Sequence, residues 1–256
     1  MSLLRLDSLT MRFGGLMAVN GFSTELRAGE LCALIGPNGS GKTTIFNMVS
    51  GIYAPTEGRI TFDGVDITGK RPDIVASLGV ARTFQNIRLF MGLDVLENVL
   101  VGHHLRLKAD PISAILGAPN YAREEREMRQ EAMNLLDSLS LEHLAHEDAT
   151  SLPYGQQRKL EVARALATRP RLLLLDEPAA GMNPGESEEL MAFILHILET
   201  FKLTVFLIEH QMRVVMGICP RIIAIDHGET IAEGSPEVIQ NDPRVIEAYL
   251  GVGEYA

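Results

Sequence analysis

The sequence has only two cysteines and no hydrophobic run long enough to cross a membrane. Cys32 and Cys219 lie far apart, and no spacing typical of a disulfide framework or a zinc site accompanies them. No apolar run approaches the roughly 18 residues that a membrane helix needs, and the first residues do not follow the pattern of a signal peptide. We therefore expect a cytoplasmic protein with a buried thiol at Cys32, which would reach a membrane only through a partner.

Positive charge and low-complexity segments are also scarce. The 256 residues include 23 lysines and arginines against 33 aspartates and glutamates, so the formal net charge is −10 and the pI is about 5.2. An acidic surface of this kind disfavours nucleic acid as a partner. Apolar residues make up 46% of the chain and charged residues 22%, which is typical of a globular protein with one large core.

The residues that are present include a phosphate-binding motif. A five-residue apolar run at 31–35 has the length of a buried strand. The next eight residues fit G-x-x-x-x-G-K-[ST]: Gly36, Pro37, Asn38, Gly39, Ser40, Gly41, Lys42 and Thr43. This pattern predicts a P-loop, in which backbone N–H groups and a helix N-terminus cradle the phosphates of a nucleotide. Lys42 would contact the β- and γ-phosphates, Thr43 would bind Mg²⁺, and Thr44 would complete the nucleotide site.

A second motif ends another apolar strand. Four leucines precede Asp176 and Glu177, and this run predicts a parallel strand that is buried on both faces. Ligands bind at the carboxyl ends of such strands. We expect Asp176 to hold the Mg²⁺, directly or through water, and Glu177 to orient or deprotonate an attacking water. The alternative is a solvated acidic turn.

Three isolated residues have two interpretations each. Phe13 precedes a Gly-Gly turn and could stack on a nucleotide base or pack in a sheet. Gln85 is predicted to end a strand, where its amide oxygen could bind Mg²⁺ or orient water, or simply face solvent. His210 follows an apolar strand and could hydrogen-bond the γ-phosphate or serve a structural role.

Residues 88–168 show a helical pattern. Within it, 121–139 predicts an amphipathic helix whose apolar stripe is Met128, Ala132, Leu135, Leu136 and Leu139. The stretch between His104 and Asn120 breaks the periodicity and predicts a loop or a short helix without assigned chemistry. Leu152-Pro-Tyr-Gly-Gln-Gln-Arg then opens a helix that runs to about Thr168, and Pro153 suits its start because proline lacks only an N–H that would be unpaired there.

The remaining elements follow from local periodicity. Antiparallel strands are predicted on both sides of Gly14-Gly15 within 3–27, a strand and turn at 58–67, and a short helix at 73–78. A helix at 186–201 should turn Leu190, Ile194, Ile197, Leu198 and Phe201 inward. A buried strand at 203–208, closing strands at 221–226 and 229–232, and two short helices at 236–250 complete the chain.

The chain resembles the ATP-binding subunits of ABC transporters. The resemblance rests on five features in this order and spacing: the P-loop, Gln85, the Leu-Pro-Tyr-Gly-Gln box, Leu-Leu-Leu-Leu-Asp-Glu-Pro and His210. The resemblance covers nearly the whole chain. It implies an α/β fold, with a P-loop NTPase core of the RecA-like type, an antiparallel β lobe and an inserted helical subdomain. The core with its β lobe and C-terminal helices would span 1–87 and 169–256, and the subdomain 88–168, within one ABC ATPase domain.

The resemblance also implies roles for individual residues. Two such subunits would sandwich two ATP molecules, with each P-loop facing the signature helix of the other subunit, here Tyr154, Gly155 and Gln156. Phe13 would stack on adenine, His210 would be the switch histidine, and Gln85 would lie near the groove that receives a permease helix. Lys42, Gln85, Glu177 and His210 would serve catalysis.

Within the family, three features look like those of the branched-chain amino acid importers: the Tyr-Gly-Gln-Gln-Arg signature, the Ala-Ala-Gly-Met-Asn-Pro turn and the C-terminal ending. That ending is also similar to ATPases of lipopolysaccharide export. The usual signature is Leu-Ser-Gly-Gly-Gln, but here Pro153 stands at the Ser position and Tyr154 replaces the first Gly. Up to two hydrogen bonds to a γ-phosphate would be missing, each worth about 1.5–3 kcal/mol, so the composite site that receives this signature should close less tightly.

The sequence thus predicts an ATP-hydrolysing importer subunit that uses ATP and Mg²⁺ at the cytoplasmic face of the inner membrane. Its expected partners are a second ATPase subunit, identical or related, a membrane permease and, indirectly, a periplasmic substrate-binding protein. The alternatives are the ATPase of another ABC transporter and a soluble ABC ATPase that acts on ribosomes or DNA. A P-loop kinase or GTPase is disfavoured by the signature box and the Asp176-Glu177 pair.

Overall fold

The computed structural model of the chain describes residues 2–103 and 119–250. It divides into two compact units. The first comprises Met1–Gln85 and Arg171–Ala256, and the second comprises Asn86–Pro170. These boundaries lie two residues from the limits of the core and subdomain that the sequence suggests. None of the helices in the described ranges has both the length and the apolar character that a bilayer crossing requires.

A four-stranded antiparallel sheet forms one layer of the first unit. Its strands are β1 (Ser2–Phe13), β2 (Leu16–Arg27), β4 (Glu57–Phe62) and β5 (Val65–Asp66), in the order β2-β1-β4-β5. Gly14 allows the tight turn between β1 and β2 because its φ is 59°, in the left-handed region where glycine has no steric cost. The antiparallel strands predicted around Gly14-Gly15 are confirmed.

A six-stranded, mostly parallel sheet forms the second layer of this unit. Its strands are β3 (Leu31–Ile35), β6 (Val80–Arg82), β7 (Leu172–Asp176), β8 (Thr204–Ile208), β9 (Arg221–Asp226) and β10 (Glu229–Gly234), in the order β10-β9-β3-β8-β7-β6. Only β10 pairs antiparallel. Every residue of β3, β7 and β8 is buried, as expected for parallel strands covered on both faces. The carboxyl ends of the parallel strands therefore meet at one edge.

The helices follow the sequence-based expectations, except that no helix was predicted at 212–218. They are α1 (Lys42–Val49), α2 (Pro72–Ser77), α3 (Val95–His103), α4 (Pro119–Ser138), α5 (Tyr154–Ala167), α6 (Pro184–Thr200), α7 (Met212–Ile218), α8 (Pro236–Gln240) and α9 (Pro243–Leu250). Asn183 caps α6 with a capping box, which explains why that helix begins two residues before its predicted start. The prediction of which α6 side chains face inward was partly wrong. Leu198 and Phe201 are only half-buried, and Phe193 is buried instead.

One hydrophobic core joins the two sheets of the first unit through α1. Phe22 and Phe62 come from the antiparallel sheet, Phe46 from α1, and Phe206 from the parallel sheet, and all four are fully buried. The rings of Phe46 and Phe206 lie 5.2 Å apart between centroids. Burying an aromatic side chain stabilises a fold by about 1.5–3 kcal/mol, so this contact fixes α1, and the loop that precedes it, against the sheet.

The second unit is helical. Its helices α3, α4 and α5 pack together, with α3 against both others. Gly102 allows the closest approach, since a Cβ at this position would lie 2.5 Å from the backbone oxygen of Arg164 and 2.8 Å from the Cβ of Ala167. Of the predicted apolar stripe, Ala132, Leu136 and Leu139 are buried, whereas Met128 and Leu135 are half-buried. Most of the stretch between His104 and Asn120 lies outside the described residues.

Candidate nucleotide site

The loop after β3 packs so closely against neighbouring backbone that two of its positions require glycine. A Cβ on Gly36 would lie 2.1 Å from the backbone oxygen of Ile225, and a Cβ on Gly41, whose φ is 103°, would lie 2.5 Å from that of Ala18. Only glycine fits at either position. Between them, Asn38 and Gly39 are exposed, whereas Ser40 is buried.

The helix that follows this loop begins without a side-chain cap. Gly41 is the N-cap of α1, and no side chain hydrogen-bonds the first turn. The first backbone N–H groups of any helix have no acceptor inside the helix, so those of Lys42, Thr43 and Thr44 are available to an anion. The Thr43 side chain is exposed. The start of α1 therefore has no side-chain cap that would compete with an anion.

Lys42 bends back over the loop. Its Nζ donates hydrogen bonds to the backbone oxygens of Gly36, at 2.8 Å, and Pro37, at 2.9 Å. Burial lowers the pKa of Lys42 to about 8, although the nearby carboxylates of Glu177 and Asp176 oppose this shift. An incoming phosphate would add further negative charge close to this buried ammonium.

Asp176 ends β7 and is paired with a cation that sequence reasoning missed. The Nη2 of Arg82, in β6, donates to Asp176 Oδ2 at 2.7 Å, and both side chains are almost fully buried. Burial raises the pKa of Asp176, while Arg82 works in the opposite direction. Among the described residues no hydrogen-bond donor meets Oδ1, the other carboxylate oxygen. That oxygen is the one Asp176 can offer to a metal ion.

Glu177, Gln85 and His210 come together at the same sheet edge. Gln85 Nε2 donates to Glu177 Oε2 at 2.7 Å, and His210 Nε2 lies 2.7 Å from Glu177 Oε1. Glu177 has a φ of 48°, in the left-handed region that costs a non-glycine residue roughly 1–3 kcal/mol. The chain therefore holds this carboxylate in place against a local preference. Gln85 lies three residues past the end of β6, so the prediction that it ends a strand was wrong.

Glu209 is a second buried residue that the sequence analysis did not identify. Its carboxylate accepts backbone hydrogen bonds from Ala179 at 2.6 Å, His210 at 2.9 Å and Gln211 at 3.1 Å. Burial raises its pKa, and these three bonds oppose the rise. Gln211 Nε2 also donates to the backbone oxygen of Ala179. Together they tie the turn after Glu177 to the segment that carries His210.

Phe13 lies at the end of β1 and is partly exposed. Its ring contacts Tyr53 edge to face, with centroids 5.4 Å apart. This contact fixes the ring while 41% of the residue's surface remains accessible. A further flat ring could therefore stack there, as the sequence analysis suggested.

The Pro-Tyr-Gly-Gln segment starts α5 in the second unit. Pro153 is the N-cap, with φ −55° and ψ 149°, and offers no side-chain cap. Tyr154 is exposed at 42%, and its hydroxyl lies 3.1 Å from Nη2 of Arg158, a buried residue that pairs with Glu161. Gln156 Oε1 is buried without a hydrogen-bond partner among the described residues. The first turn is thus held by Arg158 and not by a cap.

Two family profiles match the chain. The family described as "ABC transporter" matches residues 19–180, and the one described as "Branched-chain amino acid ATP-binding cassette transporter" matches residues 229–255. The first match contains the P-loop, Gln85, the signature segment and the Asp176-Glu177 pair. The second contains the C-terminal ending noted in the sequence.

Full-length relatives give the same result. The high-affinity branched-chain amino acid transport ATP-binding protein BraF of Pseudomonas aeruginosa is 46% identical over 249 residues, which cover 97% of this chain and 98% of the relative. The corresponding protein LivG of Escherichia coli K12 is 45% identical with the same coverage.

Solved structures are similar over nearly the whole chain. The ADP conformation of MJ1267, an ATP-binding cassette of an ABC transporter, has a TM-score of 0.84 and 34% identity, covering 98% of this chain and 99% of that one. A dimeric post-hydrolysis state of the cassette MJ0796, bound to ADP and Pi, has a TM-score of 0.75 and 25% identity, covering 91% and 98%. The predicted α/β fold of the P-loop NTPase class is confirmed.

Proposed function

Because the chain belongs to the ABC transporter family of ATP-binding cassettes, we propose that it hydrolyses MgATP to drive import of branched-chain amino acids through a membrane permease. The similarity to transport proteins for branched-chain amino acids supports the choice of substrate, and the observation that carries the hydrolysis of ATP is the position of Glu177. This carboxylate lies between Gln85 and His210 and close enough to Lys42 to influence its pKa. A P-loop lysine and a fixed carboxylate at one sheet edge suit the attack of water on a terminal phosphate.

The residues present fit both ATP and Mg²⁺. The glycine-lined loop and the uncapped start of α1 provide N–H donors for the phosphates. Thr43 and the Oδ1 of Asp176 provide the oxygen ligands that Mg²⁺ prefers, and Gln85 adds an amide oxygen. When bound, the ion neutralises charge on the β- and γ-phosphate oxygens.

The chain's own residues perform the remaining steps. Lys42 leaves the Gly36 and Pro37 oxygens and pairs with the phosphates. Glu177 orients a water molecule for in-line attack, and His210 donates a hydrogen bond at the γ-phosphate. Each Glu177 oxygen already has one hydrogen-bonding neighbour and keeps a second lone pair for a water molecule. Phe13 stacks on the base.

The subunit works with partners. A second ATPase subunit, identical or related, contributes its own signature helix to this P-loop, and this chain contributes Tyr154, Gly155 and Gln156 to the other site. ATP bridges the pair, so binding closes it and hydrolysis reopens it. The pair acts at the cytoplasmic face of the inner membrane on a permease that a periplasmic binding protein supplies.

Transport by reconstituted vesicles tests the proposal. The subunit, a partner ATPase subunit, a permease and the substrate-binding protein are combined in a liposome assay, and uptake of labelled leucine is measured with and without ATP. We expect ATP-dependent uptake, and Glu177→Gln should lower turnover at least 100-fold while ATP binding changes less than about threefold. Hydrolysis by Glu177→Gln at the wild-type rate, or uptake indifferent to ATP, would contradict the assignment.

A further inference from the structure

Arg82 connects the P-loop helix α1 to the end of β7 that carries Asp176. Its Nη2 donates to Asp176 Oδ2 at 2.7 Å, and its Nη1 donates to Asn47 Oδ1 at 2.6 Å and to Ser50 Oγ at 3.1 Å. Asn47 belongs to α1, the P-loop helix, and Ser50 is its C-cap residue. One guanidinium therefore joins the far end of the P-loop helix to the acidic end of β7.

The same guanidinium packs against two aromatic rings. Its Cζ lies 5.7 Å from the ring centroid of Phe46 and 5.1 Å from that of Phe84. Phe84 immediately precedes Gln85, so Arg82 also contacts the segment that carries the glutamine. The planar fork of arginine is suited to this combination of directed hydrogen bonds and stacking, and a lysine ammonium is not.

Stability alone is a weak explanation for this arrangement. A buried ion pair gains little net free energy over an apolar replacement, because desolvation offsets the attraction. Here the Nε of Arg82 is also buried without an acceptor among the described residues. An imperfectly satisfied buried cation at the metal side of the site points to a role in function.

We propose that Arg82 is a positioning residue for the metal: it occupies one oxygen of Asp176 and holds the other, Oδ1, for the Mg²⁺ that accompanies the nucleotide. Restricting Asp176 to a single free oxygen favours coordination through one oxygen or one water, which suits the small octahedral Mg²⁺. Without Arg82, the carboxylate can turn toward Asn47 and Ser50 in the vacated space. This inference rests on the proposed function, since it assumes a nucleotide-bound metal at the P-loop.

Metal affinity measured apart from turnover tests the proposal. With full-length protein in excess over ADP, the Kd of Mn²⁺ for the protein–ADP complex is obtained from the EPR signal of free Mn²⁺. Binding of ADP in EDTA is measured in parallel. For Arg82→Met we expect Mn²⁺ affinity to fall at least tenfold, while ADP affinity in EDTA stays within about twofold. Arg171→Gln serves as the matched control, because Arg171 pairs with Asp63 at an exposed site of the same unit and should leave both values unchanged.

Two further variants separate position from charge. Arg82→Lys keeps the charge but loses the fork, so we expect most of the loss to persist. The double variant Asn47→Ala/Ser50→Ala leaves the pair between Arg82 and Asp176 but removes the hydrogen bonds on the other side of the guanidinium. It should weaken Mn²⁺ binding severalfold, and it provides a test of the proposal if Arg82→Met does not fold.

Other results of these measurements would contradict the proposal. Full recovery in Arg82→Lys, or tighter Mn²⁺ binding in Arg82→Met, would show that Arg82 acts only through its charge and would overturn the proposal. Unchanged Mn²⁺ affinity in a folded Arg82→Met protein would do the same. If the wild-type protein itself bound neither ADP nor Mn²⁺, the proposed function would fail instead, so the two failures are distinguishable.

Discussion

Raising the pH above 8 should weaken nucleotide binding through Lys42. Burial lowers the pKa of this lysine to about 8, and its ammonium must be charged to pair with phosphate. At pH 9, one unit above that pKa, only about a tenth of the molecules carry the charge. Because binding then includes uptake of a proton, affinity should be about tenfold lower at pH 9 than at pH 7, which corresponds to about 1.4 kcal/mol. A phosphate monoester titrates near pH 6, so the ligand itself changes little in this window.

A fluorescent ATP analogue titrated in EDTA between pH 7 and 9.5 measures this effect without the metal. The logarithm of Kd should rise with a slope approaching one per pH unit above 8. In Lys42→Arg the guanidinium stays charged throughout, so its Kd should be flat over the same range whatever its absolute value. A flat wild-type profile would refute the claim that a buried, partly discharged Lys42 meets the phosphates.

The same lysine has a consequence for stability. Its pKa is about 8 in the folded chain and has the ordinary value of 10.5 in the unfolded chain. The unfolded state therefore binds more protons between these values, so the free energy of unfolding gains from this residue as pH rises from 8 to 10.5. The gain is at most about 3 kcal/mol. Denaturant unfolding of the wild type and Lys42→Met at pH 7.5 and 10 measures this gain. The free energy of unfolding of the wild type, relative to that of the variant, should be larger at pH 10 than at pH 7.5.

Two substitutions, one in the P-loop and one at the start of the signature helix, give independent tests. Gly36→Ala places a Cβ 2.1 Å from the backbone oxygen of Ile225, so we expect calorimetry to show at least a 100-fold loss of ATP affinity. Gly15→Ala is the control, because a Cβ there meets nothing within 4 Å, and this variant should bind ATP normally. Pro153→Ser restores a hydroxyl and an N–H at the N-cap of α5, which should tighten ATP-dependent association with the partner subunit at least about tenfold, the value of one such bond. Pro153→Ala restores the N–H alone and should give a smaller gain, and association that is the same in all three proteins would show that Pro153 does not weaken that site.

Much of the chemistry was predictable because it resides in contiguous residues. The P-loop needs glycines at fixed positions before a helix, and the apolar runs before Gly36, Asp176 and His210 have the length and composition of buried parallel strands. Since the carboxyl ends of parallel strands meet at one edge, finding three such runs was enough to expect the residues that follow them to share a site.

Arg82 and Glu209 show where this reasoning stopped. Neither belongs to a recognisable motif, and an arginine or glutamate next to an apolar strand is usually exposed. Their burial depends on contacts between residues that are distant in sequence: Arg82 with Asp176, 94 positions away, and Glu209 with the Ala179 backbone, 30 positions away. Local periodicity contains no information about such pairings.

The amino-acid sequence alone determined the class of fold, the strand that delivers each motif, and the identity of the phosphate-binding loop, because these depend on short-range preferences of neighbouring residues. Only the tertiary structure decided how the functional groups are held: Glu177 between Gln85 and His210, Lys42 on its own loop, and one oxygen of Asp176 on Arg82. The physical reason is that a hydrogen bond forms only when its two heavy atoms lie about 3 Å apart. Their partners are therefore chosen by how the sheet brings distant segments together.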